Sequence, residues 1–133
     1  LGAQLKTVED IMIKGNKIPF VNENLKMNRA LKILSEKKLG ILIVRNSKKN
    51  TIGIITDGQI RRFNQKNKDI QALTVKKIMT TKPVCIDKNE LAAKALSIMN
   101  NKKITSLIVH NKKKPFLTIG VIHVHTILQS NIS

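Results

Sequence analysis

Apolar and polar positions follow one order along this chain, and the order is written twice. In the first copy, Thr7 with Asp10 three residues later predicts a capped turn of helix ending near Met12. Ile18 to Val21 predicts a short strand, with Pro19 placing it at an edge or at a strand start. From Leu25 to Lys38 the apolar residues Met27, Ala30, Leu31, Ile33 and Leu34 recur at three- and four-residue steps, the spacing of an amphipathic helix. Ile41 to Arg45 and Thr51 to Thr56 are rich in β-branched residues and read as a hairpin across Asn46 to Asn50. Asp57 is placed to cap a last helix running through Ile60 and Phe63.

The second copy keeps the order. Thr74, Val75, Ile78 and Met79 lie 67 positions after Thr7, Val8, Ile11 and Met12. Ala95, Leu96, Ile98, Lys102, Lys103, Leu107, Ile108, Val109 and Asn111 follow their counterparts by 65, and Gly120, Ile122 and Ile127 follow Gly53, Ile55 and Ile60 by 67 again. Shifts confined to turns are what loop insertions produce. Asp87 with Glu90 predicts a second capped helix start, Leu91, Ala95, Leu96 and Met99 its apolar stripe, and Ser106 to His110 with Phe116 to Ile122 a second hairpin. Two copies of this length predict an α+β fold (α/β-type) made of two pseudo-symmetric halves, each a small sheet with helices packed on it, closing on a shared crevice. The expected limits are 5–65 for the first repeat, 66–73 for a polar linker (the polar stretch itself starts near Asn64), and 74–130 for the second repeat.

Composition narrows the possibilities. With 133 residues, 41% hydrophobic, three phenylalanines and no tryptophan or tyrosine, one ordinary core has to be built from Ile, Leu, Val and Met. No apolar run reaches the roughly 20 residues of a membrane span and no signal-peptide pattern opens the chain, so a soluble cytoplasmic protein is expected. The opening Leu1-Gly2-Ala3 suggests a piece of something longer. Cys85, in the run Pro83 to Ile86, reads as a small apolar residue rather than a reactive thiol. The net charge is +17; Arg29, Arg45, Arg61 and Arg62 are the four arginines among 25 cations, leaving 21 lysines scattered through both repeats. Such a field favours an anionic ligand or an acidic surface, while the near absence of aromatic stacking residues argues against a single-strand nucleic-acid reader.

The stretches 38 to 44 (Lys-Leu-Gly-Ile-Leu-Ile-Val), 52 to 62 (Ile-Gly-Ile-Ile-Thr-Asp-Gly-Gln-Ile-Arg-Arg) and 102 to 109 (Lys-Lys-Ile-Thr-Ser-Leu-Ile-Val) carry a resemblance. The chain resembles a tandem pair of CBS domains, a Bateman module, and in particular the C-terminal pair of bacterial arabinose-5-phosphate isomerases, which supply the octulosonate sugar of lipopolysaccharide. The resemblance spans about 5 to 130 and implies a regulatory, ligand-sensing and subunit-associating module, dimeric, without catalytic residues. The residues agree, since no His, Glu or Ser cluster assigns a base, an acid and an electrophile.

In nucleotide-binding members of the family, a Gly-hydrophobic-x-Thr/Ser-x-x-Asp segment sets a hydroxyl near phosphate or ribose and a carboxylate on the ribose. Here the first copy keeps Thr56, followed by Asp57, but has Gln59 at the carboxylate position, and the second, with His123, His125 and Thr126, lacks both the hydroxyl and the carboxylate of the pattern. Ordinary adenosine-nucleotide binding is therefore not expected at either site, and the resemblance implies, by feedback from a pathway product, an anionic nucleotide or nucleotide-sugar such as the cytidylyl octulosonate. The candidate binding residues are Thr56, Asp57, Gln59, Arg61, Arg62, Lys103, Thr105, Ser106, His123, His125 and Thr126. Arg61 and Arg62 serve equally as solvated helix charges, and Thr105 and Ser106 as strand-edge residues. His123-x-His125, read as extended, would place both rings on one face, but His110, expected in a turn, is the one distant third ligand, so no metal and no cofactor is expected. A purely structural dimerisation module and a basic nucleic-acid adaptor are the alternatives.

Overall fold

The computed structural model describes residues 5–130. The first repeat supplies α1 (Val8–Ile11), a 3-10 turn (Gly15–Lys17), β1 (Phe20–Asn22), α2 (Met27–Lys37), β2 (Ile41–Arg45), β3 (Thr51–Thr56) and α3 (Asp57–Gln65). The second supplies α4 (Val75–Ile78), β4 (Cys85–Asp87), α5 (Ala92–Lys102), β5 (Ser106–Asn111), β6 (Lys114–His123) and α6 (Val124–Gln129). Each repeat builds a three-stranded mixed sheet, β1-β2-β3 or β4-β5-β6, whose first pair is parallel and whose second is antiparallel. Both hairpins form where alternation predicts them, with Leu42 opposite Ile55 and Leu107 opposite Ile122. The fold class is the expected one, with helices packed on two small sheets. Among the described residues no helix is long and apolar enough to cross a membrane.

The compact units do not coincide with the sequence repeats. One unit joins Leu1–Ile18 to Val84–Ser133, and the other is Pro19–Pro83. The short first helix of each repeat docks in the body of the other repeat. Val8 and Ile11 of α1 lie in a core with Ile86, Ala95, Met99, Leu107 and Ile122, while Val75 and Ile78 of α4 lie in a core with Val21, Ala30, Leu34, Leu42 and Ile55.

The backbone pairing of the exchange is repeated almost bond for bond. Val8 N–H donates to the Glu90 carbonyl at 2.8 Å and Glu9 N–H to Lys88 at 3.0 Å; Val75 N–H donates to Leu25 at 2.8 Å and Lys76 N–H to Glu23 at 2.9 Å. The chain then passes against the third strand of its host sheet, in bridges Ile13–Val121 and Ile54–Thr80. Gly53 and Gly120 lie at these contacts. A Cβ on Gly53 would stand 2.6 Å from the Thr80 carbonyl oxygen, and one on Gly120 2.9 Å from that of Ile13. Even the charges mirror: Lys88 pairs with Glu9 at 3.5 Å in one unit and Lys76 with Glu23 at 3.4 Å in the other, with the signs on helix and host reversed.

The exchange also explains two helix starts that lack capping residues. Lys26 and Leu91 precede α2 and α5 and give no side-chain cap. Instead the first helical amides, of Met27 and Ala92, donate to the Leu73 and Lys6 carbonyls at 2.8 and 2.9 Å.

Three local expectations change. Asp87 does not cap a helix: it ends β4, and its carboxylate accepts from the Asn89 and Lys112 amides at 3.0 and 2.7 Å. Thr56, not Asp57, is the cap of α3, its hydroxyl accepting from Gln59 N–H at 3.3 Å. His110 is a strand residue opposite Asp87 and Thr118 rather than a turn residue. In the polar stretch after Phe63, Asn64 and Gln65 finish α3, and within the expected linker Ile70 is 4% exposed in the core of the Pro19–Pro83 unit. The Thr7–Asp10 capping box forms as predicted, and the bonds it makes hold the Asp10 carboxyl below the ordinary carboxylate range. Cys85 is half-buried, and burial raises its thiol pKa, which favours the protonated form.

Candidate functional site

The candidate residues gather at equivalent ends of the two sheets, one set in each unit. In the Pro19–Pro83 unit the set is Thr56, Asp57, Gln59, Arg61 and Arg62, at the turn from β3 into α3. The turn is fixed from both sides. Asp57 N–H donates to the Gly40 carbonyl at 3.0 Å, and Gly40 takes a left-handed φ of 71°, which a side chain there would strain.

Gly58, in the first turn of α3, leaves an open spot where cationic and hydroxyl groups meet. Measured from the position of a Cβ on Gly58, Arg62 Nη1 lies at 3.5 Å, Arg61 Nη2 at 3.9 Å and Thr56 Oγ1 at 4.0 Å. Neither guanidinium forms an ion pair with a described residue. Two exposed forked donors and a hydroxyl at a helix start suit a phosphate or carboxylate, with Asp57 beside them as an acceptor for hydroxyl groups.

Gln59 is the one buried polar side chain among the described residues, 6% exposed. Its Nε2 donates to the Ile78 carbonyl of the docked helix α4, while its Oε1 has no partner among them. With Arg62, Phe63 and Lys66 it lines a pocket of about 120 Å³. Lys66, beyond the end of α3, was not legible as a site residue; its place follows from helix periodicity, four residues after Arg62.

In the other unit, Ser106 pairs with His123 across β5 and β6, and the Thr105 carbonyl accepts from Val124 N–H at 2.9 Å. Lys103 ends α5 in a left-handed conformation two residues earlier. His123, His125 and Thr126 thus lie beside Lys103, Thr105 and Ser106 at one sheet end. The His-x-His segment is not extended: His123 closes β6 and His125 lies in α6. Their rings nonetheless stack, with centroids 5.0 Å apart, and His123 Nδ1 accepts from His125 N–H at 3.1 Å, capping the helix. Burial first, and the neighbouring His125 second, push the His123 pKa below its usual value. A neutral His123 offers Nε2 to a ligand while Nδ1 holds the turn. Among the described residues no three His, Cys, Asp or Glu side chains group as a metal site.

The chain was compared with known proteins. It is 35% identical, over its whole length, to an uncharacterized protein of Rickettsia prowazekii, of which it covers 40%. It is 31% identical over 96% of its length to the arabinose 5-phosphate isomerase KdsD of Salmonella typhi, of which it covers 38%. The chain therefore spans about two fifths of the length of these curated relatives. Among solved structures, the CBS domain pair of protein MJ0100, crystallised with 5′-methylthioadenosine and S-adenosyl-L-methionine, superposes with a TM-score of 0.80 at 22% identity, covering 94% of each chain. The CBS domain model matches twice, at residues 8–66 and 75–132, so the chain belongs to the CBS domain family and carries two CBS domains in tandem.

Proposed function

We propose that this tandem CBS pair is the regulatory module of an arabinose-5-phosphate-isomerase-like enzyme of octulosonate and lipopolysaccharide synthesis. In that role it binds an anionic nucleotide or nucleotide-sugar in the cytoplasm and helps subunits associate as dimers. The observation that carries the reading is the convergence of Arg61, Arg62 and the Thr56 hydroxyl around Gly58, with no ion pair from either arginine among the described residues. Such donors recognise a phosphoryl or carboxyl group by charge-assisted, forked hydrogen bonds.

Asp57 and the Gln59 oxygen are assigned to sugar hydroxyls, and Lys103, Thr105, Ser106, His123, His125 and Thr126 form the matching set of the other unit. The likeness to the part of KdsD that this chain covers, 38% of its length, supports the pathway, and the adenosine ligands of the MJ0100 pair support the ligand class. Gln59 at the family's carboxylate position weighs against tight adenosine-nucleotide binding, because an amide binds ribose hydroxyls less strongly than a carboxylate does, and feedback by a pathway product makes the cytidylyl octulosonate the candidate ligand.

Isothermal titration against cytidylyl octulosonate, AMP, ATP and arabinose 5-phosphate tests this. Saturable heat with the nucleotide-sugar, lost in the Arg61→Gln, Arg62→Gln double variant, is expected. Heat with adenine nucleotides alone would make the pair an energy sensor, and no heat with a stable dimer would leave a structural role.

A further inference from the structure

The two units differ at the opposite end of their sheets, near the β2–β3 and β5–β6 hairpins, and the difference is specific. In the unit holding the second repeat, Asp87 ends β4 opposite His110, and its carboxylate accepts both the Asn89 amide and the Lys112 amide at the hairpin. His110 and Lys112 also attract it electrostatically, and with the two amide bonds, the larger cause, hold the Asp87 carboxyl below the ordinary range.

The first repeat keeps the same frame 65 positions earlier. Asn22 ends β1 opposite Arg45, Asn22 Oδ1 accepts from Asn24 N–H at 2.8 Å, and Glu23 N–H donates to the Arg45 carbonyl at 3.0 Å, as Lys88 N–H does to that of His110 at 2.8 Å. The counterpart of the last contact is missing. Ser47, in the place of Lys112, donates its N–H to no other described residue, and the position of the carboxylate is taken by a neutral amide.

A cation stands over this gap. The Arg45 guanidinium lies on the Phe20 ring, 3.5 Å from its centroid, and makes no ion pair with a described residue. Burial lowers its pKa, with no carboxylate acting against that effect. Arg45, Ser47 and Lys49 line a pocket of about 220 Å³ with Phe20, Asn22 and Asn46. That is the volume of about seven waters, ample for a phosphate with a short organic tail.

We infer that this pocket binds a small external oxyanion, a phosphate or a phosphate ester, in the place that the Asp87 carboxylate fills in the other unit. Arg45, seated over the Phe20 ring, supplies the forked donors, the Ser47 amide the contact that Lys112 makes to Asp87, and Lys49 adds charge. The site is separate from the α3 turn: β2 and β3 pair Ile41 with Thr56 at one end and Arg45 with Thr51 at the other.

The test is a titration of the ¹⁵N-labelled full chain, at constant ionic strength, with inorganic phosphate in one arm and glycerol 3-phosphate in the other. Saturable shifts centred on the Ser47, Lys48 and Lys49 amides and the Arg45 side chain are expected; tighter binding of the ester would identify an organic phosphate as the ligand, and equal binding free phosphate. Asn22→Asp, which builds in the carboxylate without removing Arg45, should weaken binding by roughly tenfold or more and move the Ser47 amide downfield. Arg45→Gln should also abolish binding. Asn22→Asp binding phosphate like the wild type would overturn the inference, as would shifts spread over the lysines generally, shifts confined to residues 56–62, or no saturation by tens of millimolar.

Discussion

Gly53→Ala places one methyl group where the exchanged segment crosses β3, and its effect can be worked from the contacts. The new Cβ would lie 2.6 Å from the Thr80 carbonyl oxygen, against the roughly 3.3 Å of an ordinary C···O contact. The oxygen belongs to backbone held by two bonds, Ile54 N–H to Thr80 and Thr80 N–H to Ile54, both 2.9 Å, so it cannot swing aside as a side chain can. Overpacking costs about 1–3 kcal/mol, and stretching two backbone bonds worth about 0.5–1.5 kcal/mol each adds part of its own cost. The expected loss is about 2–4 kcal/mol.

Gly58→Ala is the control. It adds the same methyl five residues later, where the nearest atom is the mobile Arg62 Nη1 at 3.5 Å. Alanine is favoured over glycine in a helix by about 0.5–1 kcal/mol, so this variant should be more stable than the wild type. Urea unfolding followed by far-ultraviolet circular dichroism measures both, and amide exchange at Ile54 and Thr80 shows whether the bridge has opened. A Gly53→Ala protein within about 1 kcal/mol of the wild type, with both amides still protected, would refute the close-contact account of this glycine.

Three further outcomes are expected. The His123 C2–H resonance should titrate with a midpoint below that of an unfolded-chain histidine; because the folded pKa is depressed from 6.5, the contribution of neutral His123 is complete above that pH and lost as pH falls through the folded value, so a midpoint at or above 6.5 contradicts it. Asp87→Asn should flatten the acid limb of the stability curve, since a carboxyl depressed below 3.8 contributes above that value and ceases to as it protonates; identical acid limbs for variant and wild type would show that its two amide bonds carry no linkage. Ile70→Ala should cost about 2–4 kcal/mol by urea unfolding, a cavity penalty rather than a tether effect, and a loss under about 0.5 kcal/mol would mean that the segment after α3 is not part of the core.

Period and turn chemistry made the elements legible. Leu42, Val44 and Ile55 alternate as strand residues should, and Met27, Ala30 and Leu34 keep helical spacing, so sheets and long helices stand where the pattern sets them. Capping was legible only where side chains do it. Thr7 and Asp10 form their box, but Asp87 and Glu90 show the same spacing with a strand pulling Asp87 into register with His110. The starts of α2 and α5 gave no local signal at all, since the acceptors are carbonyls of Leu73 and Lys6 from segments distant in the chain.

For the same reason the exchange of α1 and α4 was invisible: Val8 and Val75 look alike and fit like pockets, and only the reversed charge pairs Glu9–Lys88 and Glu23–Lys76 distinguish the partners. Docked on its own repeat, each helix would set like charges together, Glu9 against Glu23 and Lys76 against Lys88. At the site, residue types pointed to Thr56, Arg61 and Arg62, whereas the direction of their tips toward Gly58 and the inward turn of Gln59 depend on packing that no spacing encodes.

The exchange also sets an order of events during synthesis. One compact unit is an unbroken stretch of polypeptide, so every contact it needs exists once Pro83 has left the ribosome. The other cannot close until residues far downstream arrive, and until then Val8 and Ile11 have no host core. Within this stretch of chain the Pro19–Pro83 unit is therefore expected to close before the unit that Val8 and Ile11 complete, an order set by connectivity.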